Sequence, residues 1–319
     1  MRVSVIVRCC NEERDIGRLL AGILRQRGDF EPEIVVVDSG STDRTLEVVG
    51  RYPTKVVHIP QAAFSFGRSL NWGCAAATGE ILAIASAHVY PVYDDWLQQL
   101  VTPLLANPQI ALVYGKQRGD KDTQFSEHRI FARWFPEVST PWQTHPFCNN
   151  ANAALRRSLW AQLPYDETLT GLEDLAWAKA VLALGYGVAY QAEAEVVHRH
   201  RETWGRIFNR YRREAIALQQ IFPATRFSAW DLMRLWSANV AGDSLSALNQ
   251  GQLWAKVSSI LSFRAAQFWG TYRGFHTASA AVEDLRQIFY YPAPWQAPPP
   301  SRRQAVPLTY EGQGEPHGP

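Results

Sequence analysis

The sequence lacks the features that mark membrane-spanning, disulfide-stabilised and nucleic-acid-binding proteins. None of its apolar runs approaches the roughly 20 residues that a membrane-spanning helix needs. Its four cysteines form no C-x-x-C pair, and reduced thiols in a cytosolic protein are expected. Lys and Arg number 32 against 30 Asp and Glu, without a basic cluster in the first half, so no nucleic-acid partner is expected. Met1 leads directly into the apolar run VSVIV, so no signal peptide is expected.

Short apolar, β-branched runs alternate with segments of helical spacing in the first third of the chain. Strands are predicted at residues 3–7, 34–37, 55–59 and 81–85. Asn11 is a good N-cap for a helix after the first strand, and residues 68–77 form another helix before the fourth. This alternation predicts an α/β fold, with a parallel sheet and helices on both faces. Residues 115–147 are interpreted as rich in loops, and a helix is predicted to begin near Glu173.

The remainder of the chain changes in character. We predict an α/β domain over residues 1–203, a helical region over 204–291 rich in Trp, Phe and Arg, and a flexible Pro/Gly-rich tail over 292–319. Trp230, Met233 and Trp236 form an apolar stripe. The stripe either packs against the first domain or lies on a membrane surface, so peripheral membrane association is left open.

Polar residues follow the predicted strands where each strand ends. In an open α/β sheet, ligands bind beyond the carboxyl ends of the strands. The candidates by this argument are Arg8, Asp38, Ser39, Ser86 and His88. The Asp38 carboxylate could accept hydrogen bonds from a nucleobase or ribose, or it could simply cap the turn to the next helix.

Four segments share a pattern with one known family. They are VSVIVRCCNEE, VVVDSGSTDRT, FSFGRSLNWGCAAATGEILAIASAHVYP and GLEDLAWAKAVLALGYGVAY, and they span residues 3–190. The series resembles the family-2 glycosyltransferases of GT-A fold, and within them the bacterial rhamnosyltransferase-like branch. The resemblance implies a Rossmann-like, mixed but mainly parallel sheet flanked by helices. It also implies that residues 1–203 form the nucleotide-sugar-binding and catalytic domain.

The implied activity is inverting hexosyl transfer in polysaccharide biosynthesis. The donor would be a nucleoside-diphosphate sugar (dTDP-rhamnose, or a UDP- or GDP-sugar), and the acceptor a hydroxyl of a glycan or a lipid-linked glycan. The expected location is the cytoplasm, including the inner face of the membrane. The donor-binding residues that the resemblance implies are Arg8, Cys10, Glu12, Asp38, Arg68, Asn71, Ser86 and Ala87. Cys10 replaces a common aromatic or hydroxyl residue, so its backbone is the expected contact.

The main departure from the family pattern is the triplet Ser86-Ala87-His88. Family members carry a DxD-type signature here, whose last carboxylate binds a divalent cation, Mn²⁺ or Mg²⁺. His88 either coordinates the cation with help from His198 or His200, or replaces it by donating to the phosphate. His198 and His200 end a strand-like segment, and residues i and i+2 of an extended chain share a face.

Glu173-Asp174 matches the family's ED signature, which opens a helix beneath the acceptor site. The resemblance makes Asp174 the general base, with Glu173 orienting it or contacting the acceptor; the alternative is two acids that satisfy a helix dipole. Asn150, Asn152 and Trp177 are the predicted acceptor contacts, because amides both donate and accept and an indole stacks on a sugar.

Two other functions predict different sequence features. A catalytically inactive nucleotide-sugar- or glycan-binding protein would explain the loss of the acidic triplet. A nucleotidyltransferase would need a Gly-rich, basic signature near the N-terminus, where the sequence has RCCNEE instead.

Overall fold

The computed structural model describes residues 1–277. The strands are β1 (Arg2–Cys9), β2 (Glu31–Asp38), β3 (Thr54–His58), β4 (Ile81–Ser86), β5 (Val89–Pro91), β6 (Ile110–Arg118), β7 (Thr140–Gln143), β8 (Asn152–Arg156) and β9 (Gly187–His198). The helices are α1 (Ile16–Leu24), α2 (Thr45–Val49), α3 (Phe66–Ala76), α4 (Trp96–Ala106), α5 (Phe125–Trp134), α6 (Arg157–Gln162), α7 (Glu173–Ala183), α8 (Trp204–Ile221), α9 (Ala229–Asn249) and α10 (Leu253–Phe275). The predicted tail, 292–319, lies outside the described residues, as does the end of the predicted helical region.

All nine strands join one mixed sheet in the order β3-β2-β1-β4-β8-β6-β9-β5, with β7 also paired to β9. Strands β1 to β4, β6 and β9 run in one direction, whereas β5, β7 and β8 are antiparallel to their neighbours. The sheet is therefore mostly parallel, with helices on both faces, and the predicted fold class is confirmed.

The core consists of two apolar layers, one on each face of the sheet. Alternate residues of β1 serve different layers, because successive side chains of a strand point to opposite faces. Val5 and Val7 pack with α1 and α4, while Ile6 packs with α3 and α7. Each layer contains large buried side chains, Trp96 in one and Trp177 in the other. The strands that carry the candidate site are thus fixed from both sides.

Two local predictions are wrong. Asn11 does not cap the first helix, which begins at Ile16; its backbone has a left-handed φ of 59°. Its side-chain oxygen instead accepts a hydrogen bond from the Thr42 amide at 2.7 Å. Residues 115–147 are also more ordered than expected, because they contain the end of β6, all of α5 and β7.

The C-terminal helices form a bundle beside the sheet. Helix α10 packs along α8, and Gly270 and Gly274, one turn apart, permit close backbone approach because a Cβ on either would meet backbone atoms of α8. A buried ion pair between Arg264 and Asp243, 2.8 Å, joins α10 to α9. Helix α8 begins at Trp204, next to the predicted division at residue 203, although the division into domains stays a prediction.

The apolar stripe on α9 is only partly packed, because Trp236 is half-buried while its other two residues face solvent. Trp230 and Met233 are 70% and 64% exposed. Among residues 1–277, no helix has the length and apolarity to cross a bilayer.

Candidate active site

The carboxyl ends of three parallel strands meet at one edge of the sheet. Arg8 of β1 is in register with Ser86 of β4, and Cys9 is in register with Asp38 of β2. Ala87, next to Ser86, is buried, and its contact with a donor stays a prediction. The strand-end residues predicted from the sequence are therefore neighbours, as the topology requires.

Asp38 is buried and fixes the turn that follows its strand. Its carboxylate accepts hydrogen bonds from the backbone amides of Gly40, at 3.1 Å, and Ser41, at 3.2 Å. Gly40 has a φ of +87°, which favours glycine at this position. The capping role is therefore visible in the structure, while a nucleoside contact of Asp38 stays a prediction.

Cys10 lies in the exposed loop after β1, and its thiol lies 3.9 Å from the Ser39 carbonyl oxygen. All four cysteines are free thiols. Cys10 is thus exposed at the edge where the strands end, and its contact with a donor stays a prediction.

Asp174 lies in the first turn of α7, where the chain enters the helix through Leu172 in a left-handed conformation (φ 55°). Its carboxylate accepts hydrogen bonds from the amides of Asn150, at 2.9 Å, and Leu175, at 2.8 Å. The side chain is nevertheless buried, and burial together with the nearby Glu173 charge raises its pKa to about 7. A carboxylate in this state can exchange a proton near neutral pH.

Glu173 connects this carboxylate to the strand edge. It forms an ion pair with Arg8 at 3.1 Å, and both side chains are largely buried. The Arg8 guanidinium also lies 4.9 Å from the centre of the Phe66 ring, within the FSFG segment. Residues from three separate sequence motifs thus come together.

The predicted acceptor residues divide into two groups. Asn150 is buried, and its side-chain Nδ2 has no hydrogen-bond partner; its contact with an acceptor stays a prediction. Asn152, by contrast, accepts from the Trp96 indole and donates to the carbonyls of Lys116 and Ala194. Its role in the structure is to hold neighbouring strands together.

Trp177 is also occupied within the protein. Its ring is 3% exposed, and its indole nitrogen donates to the Leu163 carbonyl at 2.6 Å. The structure therefore places Trp177 in the core beneath the site rather than on its surface, because α7 turns this face towards the sheet.

Arg68 and Asn71 of α3 are joined to the loop before α7. Arg68 pairs with Glu167 at 2.6 Å, and Asn71 donates to Glu167 and accepts from the Trp160 indole. These contacts position α3 against the acceptor side. The predicted contacts of both residues with the diphosphate or ribose stay predictions.

Three histidines, His88, His198 and His200, form a compact group that we call the histidine cluster. The ring centres of His88 and His198 lie 5.0 Å apart, and those of His198 and His200 lie 4.0 Å apart. One ring nitrogen from each lies within 4.8 Å of the others. The structure places both His198 and His200 beside His88, while their role as metal ligands stays a prediction.

Glu12 lies beside His88 rather than in open solution. Its carboxylate is 2.8 Å from His88 Nδ1. Burial lowers the pKa of His88, but the hydrogen bond and charge of Glu12 outweigh this effect and raise it. Burial and the neighbouring imidazoles hold the pKa of His198 well below its ordinary value.

Sequence reasoning missed two residues that contact the cluster. Gln117, at the end of β6, lies 2.7 Å from His198 Nδ1, and Glu127, on α5, lies 2.7 Å from His200 Nδ1. The charge and hydrogen bond of His200, together with those of Arg210 at 2.8 Å, lower the pKa of Glu127 to about 2 despite its burial. The sequence feature that could have indicated Glu127 is its position on the same side of a short amphipathic segment as the apolar residues.

The histidine cluster fits a divalent cation better than an isolated histidine would. The buried Nε2 of His198 has no hydrogen-bond partner, and a polar atom left in this state costs free energy unless a ligand satisfies it. Neutral imidazole is a common metal ligand in proteins. The residues present therefore fit the cation that the resemblance implies.

Comparison with known proteins agrees with this geometry. The family model described as "Glycosyl transferase family 2" matches residues 4–163, half of the chain. The O-antigen chain rhamnosyltransferase RfbN of Salmonella typhimurium is 26% identical over 228 residues, covering 66% of this chain and 70% of the relative. The O-antigen chain rhamnosyltransferase WbaN of Salmonella anatum is 26% identical over 192 residues, covering 56% and 60%. This chain thus spans less than two thirds of the WbaN protein.

Among solved structures, a similar fold is found in the mannosyltransferase PcManGT from Pyrobaculum calidifontis, in complex with GDP-Man and Mn²⁺. The TM-score is 0.56 at 22% sequence identity, over 90% of this chain and 86% of the other. At this identity the likeness concerns the fold.

Proposed function

This chain belongs to glycosyltransferase family 2, and from that membership we propose that it is an inverting transferase with Asp174 as its general base. The donor is a nucleoside-diphosphate sugar. We propose dTDP-rhamnose as the donor to test first, because two of the relatives are rhamnosyltransferases. The acceptor is a hydroxyl of a glycan or of a lipid-linked glycan.

The observation that carries the proposal is the environment of Asp174. Its pKa of about 7 lets the carboxylate be ionised at neutral pH and still accept a proton readily. Its two backbone hydrogen bonds, from Asn150 and Leu175, fix the direction of the carboxylate. An acid that only satisfied a helix dipole would gain nothing from such burial.

The reaction follows from this arrangement. Asp174 takes the proton from the acceptor hydroxyl as its oxygen forms a bond to the anomeric carbon. The bond from that carbon to the diphosphate oxygen breaks on the opposite face, and its electron pair leaves with the nucleoside diphosphate. Configuration at the anomeric carbon is therefore inverted, and no covalent enzyme intermediate is needed.

Other residues position the reactants in this proposal. The ion pair between Arg8 and Glu173 holds the end of β1 against the start of α7. Asn150 presents its unpartnered Nδ2 to an acceptor hydroxyl. A cation bound by His88 and His198 would neutralise the diphosphate charge as it develops, which is the chemistry expected of the family's metal.

The division of labour along the chain is part of the proposal. Residues 1–203 carry donor binding and catalysis, and the helices that follow support them. The exposed Trp230 and Met233 of α9 favour a contact with a lipid-linked acceptor or with the membrane that carries it. We place the protein in the cytoplasm, with the inner face of the membrane as its site of action.

The test is turnover of dTDP-rhamnose by Asp174→Asn, with Asp29→Asn as a control at an exposed carboxylate. Release of rhamnose to water or to an added glycan is measured by chromatography, and donor binding is measured by calorimetry. We expect Asp174→Asn to lose about 10²–10⁴-fold in rate while donor binding is retained. Donor binding without turnover in the wild-type protein would instead support a binding-only protein, and UDP- and GDP-sugars are assayed in parallel.

A further inference from the structure

The histidine cluster shows a common pattern in how its three rings are held. Each Nδ1 faces an oxygen: Glu12 at 2.8 Å from His88, Gln117 at 2.7 Å from His198, and Glu127 at 2.7 Å from His200. These oxygens come from three different parts of the chain. Each ring is therefore oriented by a partner on one nitrogen, and its second nitrogen is left for another contact.

The chemistry of those partners sets which nitrogen carries the hydrogen. An ionised carboxylate can only accept, so Nδ1 of His88 and of His200 must donate. In the neutral ring, Nε2 then keeps its lone pair. The Nε2 of His198, buried and without a partner, is in the same position. Three lone pairs bind a cation, whereas binding of a phosphate would require hydrogens on these atoms.

Protonation of all three rings at once is the competing arrangement, and repulsion between the rings disfavours it. Three imidazolium rings with nitrogens within 4.8 Å of one another would repel strongly in a largely buried site. Arg210 lies beside the cluster and contacts Glu127 at 2.8 Å and Glu202 at 2.6 Å. A cation held by Glu127, His200 and Glu202 would lie against this guanidinium, so the three histidines are the better site.

We propose that His88, His198 and His200 bind one first-row transition-metal cation through three imidazole nitrogens, and that the site selects Mn²⁺, Co²⁺ or Zn²⁺ over Mg²⁺. Imidazole suits these borderline ions, whereas Mg²⁺ prefers oxygen ligands. Nitrogens around one such ion lie about 3–3.4 Å apart, so the rings move slightly inward on binding. Binding of a diphosphate to the remaining coordination positions of the cation rests on the proposed function. The selectivity for the metal does not.

Glu12, Gln117 and Glu127 have positioning roles in this centre. A ligating histidine usually donates its other nitrogen to such a group, and loss of the group lowers metal affinity about 10–100-fold. Glu127 is itself held in place by Arg210, which it contacts at 2.8 Å. In this centre, three neutral imidazoles take the place of the family's acidic ligand. Each imidazole is oriented by a hydrogen bond to Glu12, Gln117 or Glu127.

The experiment is a metal titration of the full-length protein after treatment with EDTA, without any donor. Co²⁺ binding is followed by its visible d–d absorption, Mn²⁺ binding by the loss of the free-ion EPR signal, and Mg²⁺ binding by competition against Mn²⁺. We expect one Co²⁺ and one Mn²⁺ per chain, nitrogen couplings in the pulsed EPR spectrum of bound Mn²⁺, and no displacement by a hundredfold excess of Mg²⁺.

The variants are His200→Ala, Gln117→Leu and the control His128→Ala, whose side chain is exposed on α5. We expect affinity for Co²⁺ to fall at least tenfold in the first two and to be unchanged in the control, with thermal unfolding checking that each variant is folded. Mg²⁺ binding as tightly as Mn²⁺, absence of Co²⁺ binding, or an unchanged His200→Ala would overturn the proposal. Because no donor is present, these outcomes are independent of whether glycosyl transfer is observed.

Discussion

The buried carboxylate of Asp174 should make the protein less stable as the pH rises. Its pKa is raised in the folded protein to about 7 from an ordinary value of 3.8. The folded chain therefore binds this proton more tightly than the unfolded chain does. The contribution of this group to the free energy of unfolding is fully present below pH 3.8, where both states are protonated, and is lost as the pH rises through the window from 3.8 to 7.

The size of the effect follows from the window. Of the range from pH 5 to pH 8, the part from 5 to about 7 lies below the folded pKa of Asp174 and above its unfolded pKa. Within this part, each pH unit lowers the free energy of unfolding by about 1.4 kcal/mol. Wild-type stability should thus fall by about 2–3 kcal/mol over this range relative to Asp174→Asn, which has no proton to lose. The amide replaces an acceptor that faces the Asn150 and Leu175 amides. That cost is independent of pH. The test is therefore the difference between the two proteins in how steeply the free energy of unfolding changes with pH, and not the difference at any one pH.

Urea unfolding at half-unit pH intervals, followed by circular dichroism, measures the difference. Asp29→Asn, at an exposed carboxylate, is expected to run parallel to the wild-type curve. A wild-type curve parallel to that of Asp174→Asn from pH 5 to pH 8 would refute a raised pKa. It would also remove the physical basis for Asp174 as a base that works near neutral pH.

Two further predictions concern the frame around the site. Replacing Arg199 by Gln should cost about 3–5 kcal/mol in urea unfolding, because its buried guanidinium pairs with both Asp15 and Asp120; a loss below 1 kcal/mol would contradict this. Replacing Gly67 by Ala should cost about 1–3 kcal/mol, because the added Cβ would collide with the Asp166 carbonyl, and a thermal melt at wild-type temperature would show that the loop yields instead.

The strands whose carboxyl ends meet at the candidate site were predictable because their residues are apolar and β-branched. Residues 81–85 were expected and Ile81–Ser86 is found. The antiparallel strand β8 (Asn152–Arg156) was not predicted, because it is short and begins with a polar residue. Helix α5 was missed for a related reason: its buried residues include Ser126 and Glu127, which do not register as an apolar face.

The candidate site shows the same limit at the level of single residues. Asp174 and His88 were predicted because each occupies a recognisable motif. Glu12 was expected at the donor site, but Gln117 and Glu127 were not expected, because they lie 81 and 73 residues along the chain from the histidines that they contact. No local pattern relates residues at such distances, so only the packing of α5 and β6 against β9 brings them together.

The replacement of an acidic triplet by Ser86-Ala87-His88 can be interpreted as loss of a metal site or as its rebuilding with other ligands. Simple loss would leave His88 as an isolated polar side chain, satisfied by whatever lay nearby. The structure instead has three rings with an oxygen on each Nδ1 and a buried, unpartnered Nε2 on His198. Leaving that nitrogen unsatisfied costs about 1–3 kcal/mol, which a bound cation would recover. A metal site rebuilt from histidines therefore explains both the arrangement of the three rings and the unpartnered Nε2 of His198. Loss of the metal site explains neither observation.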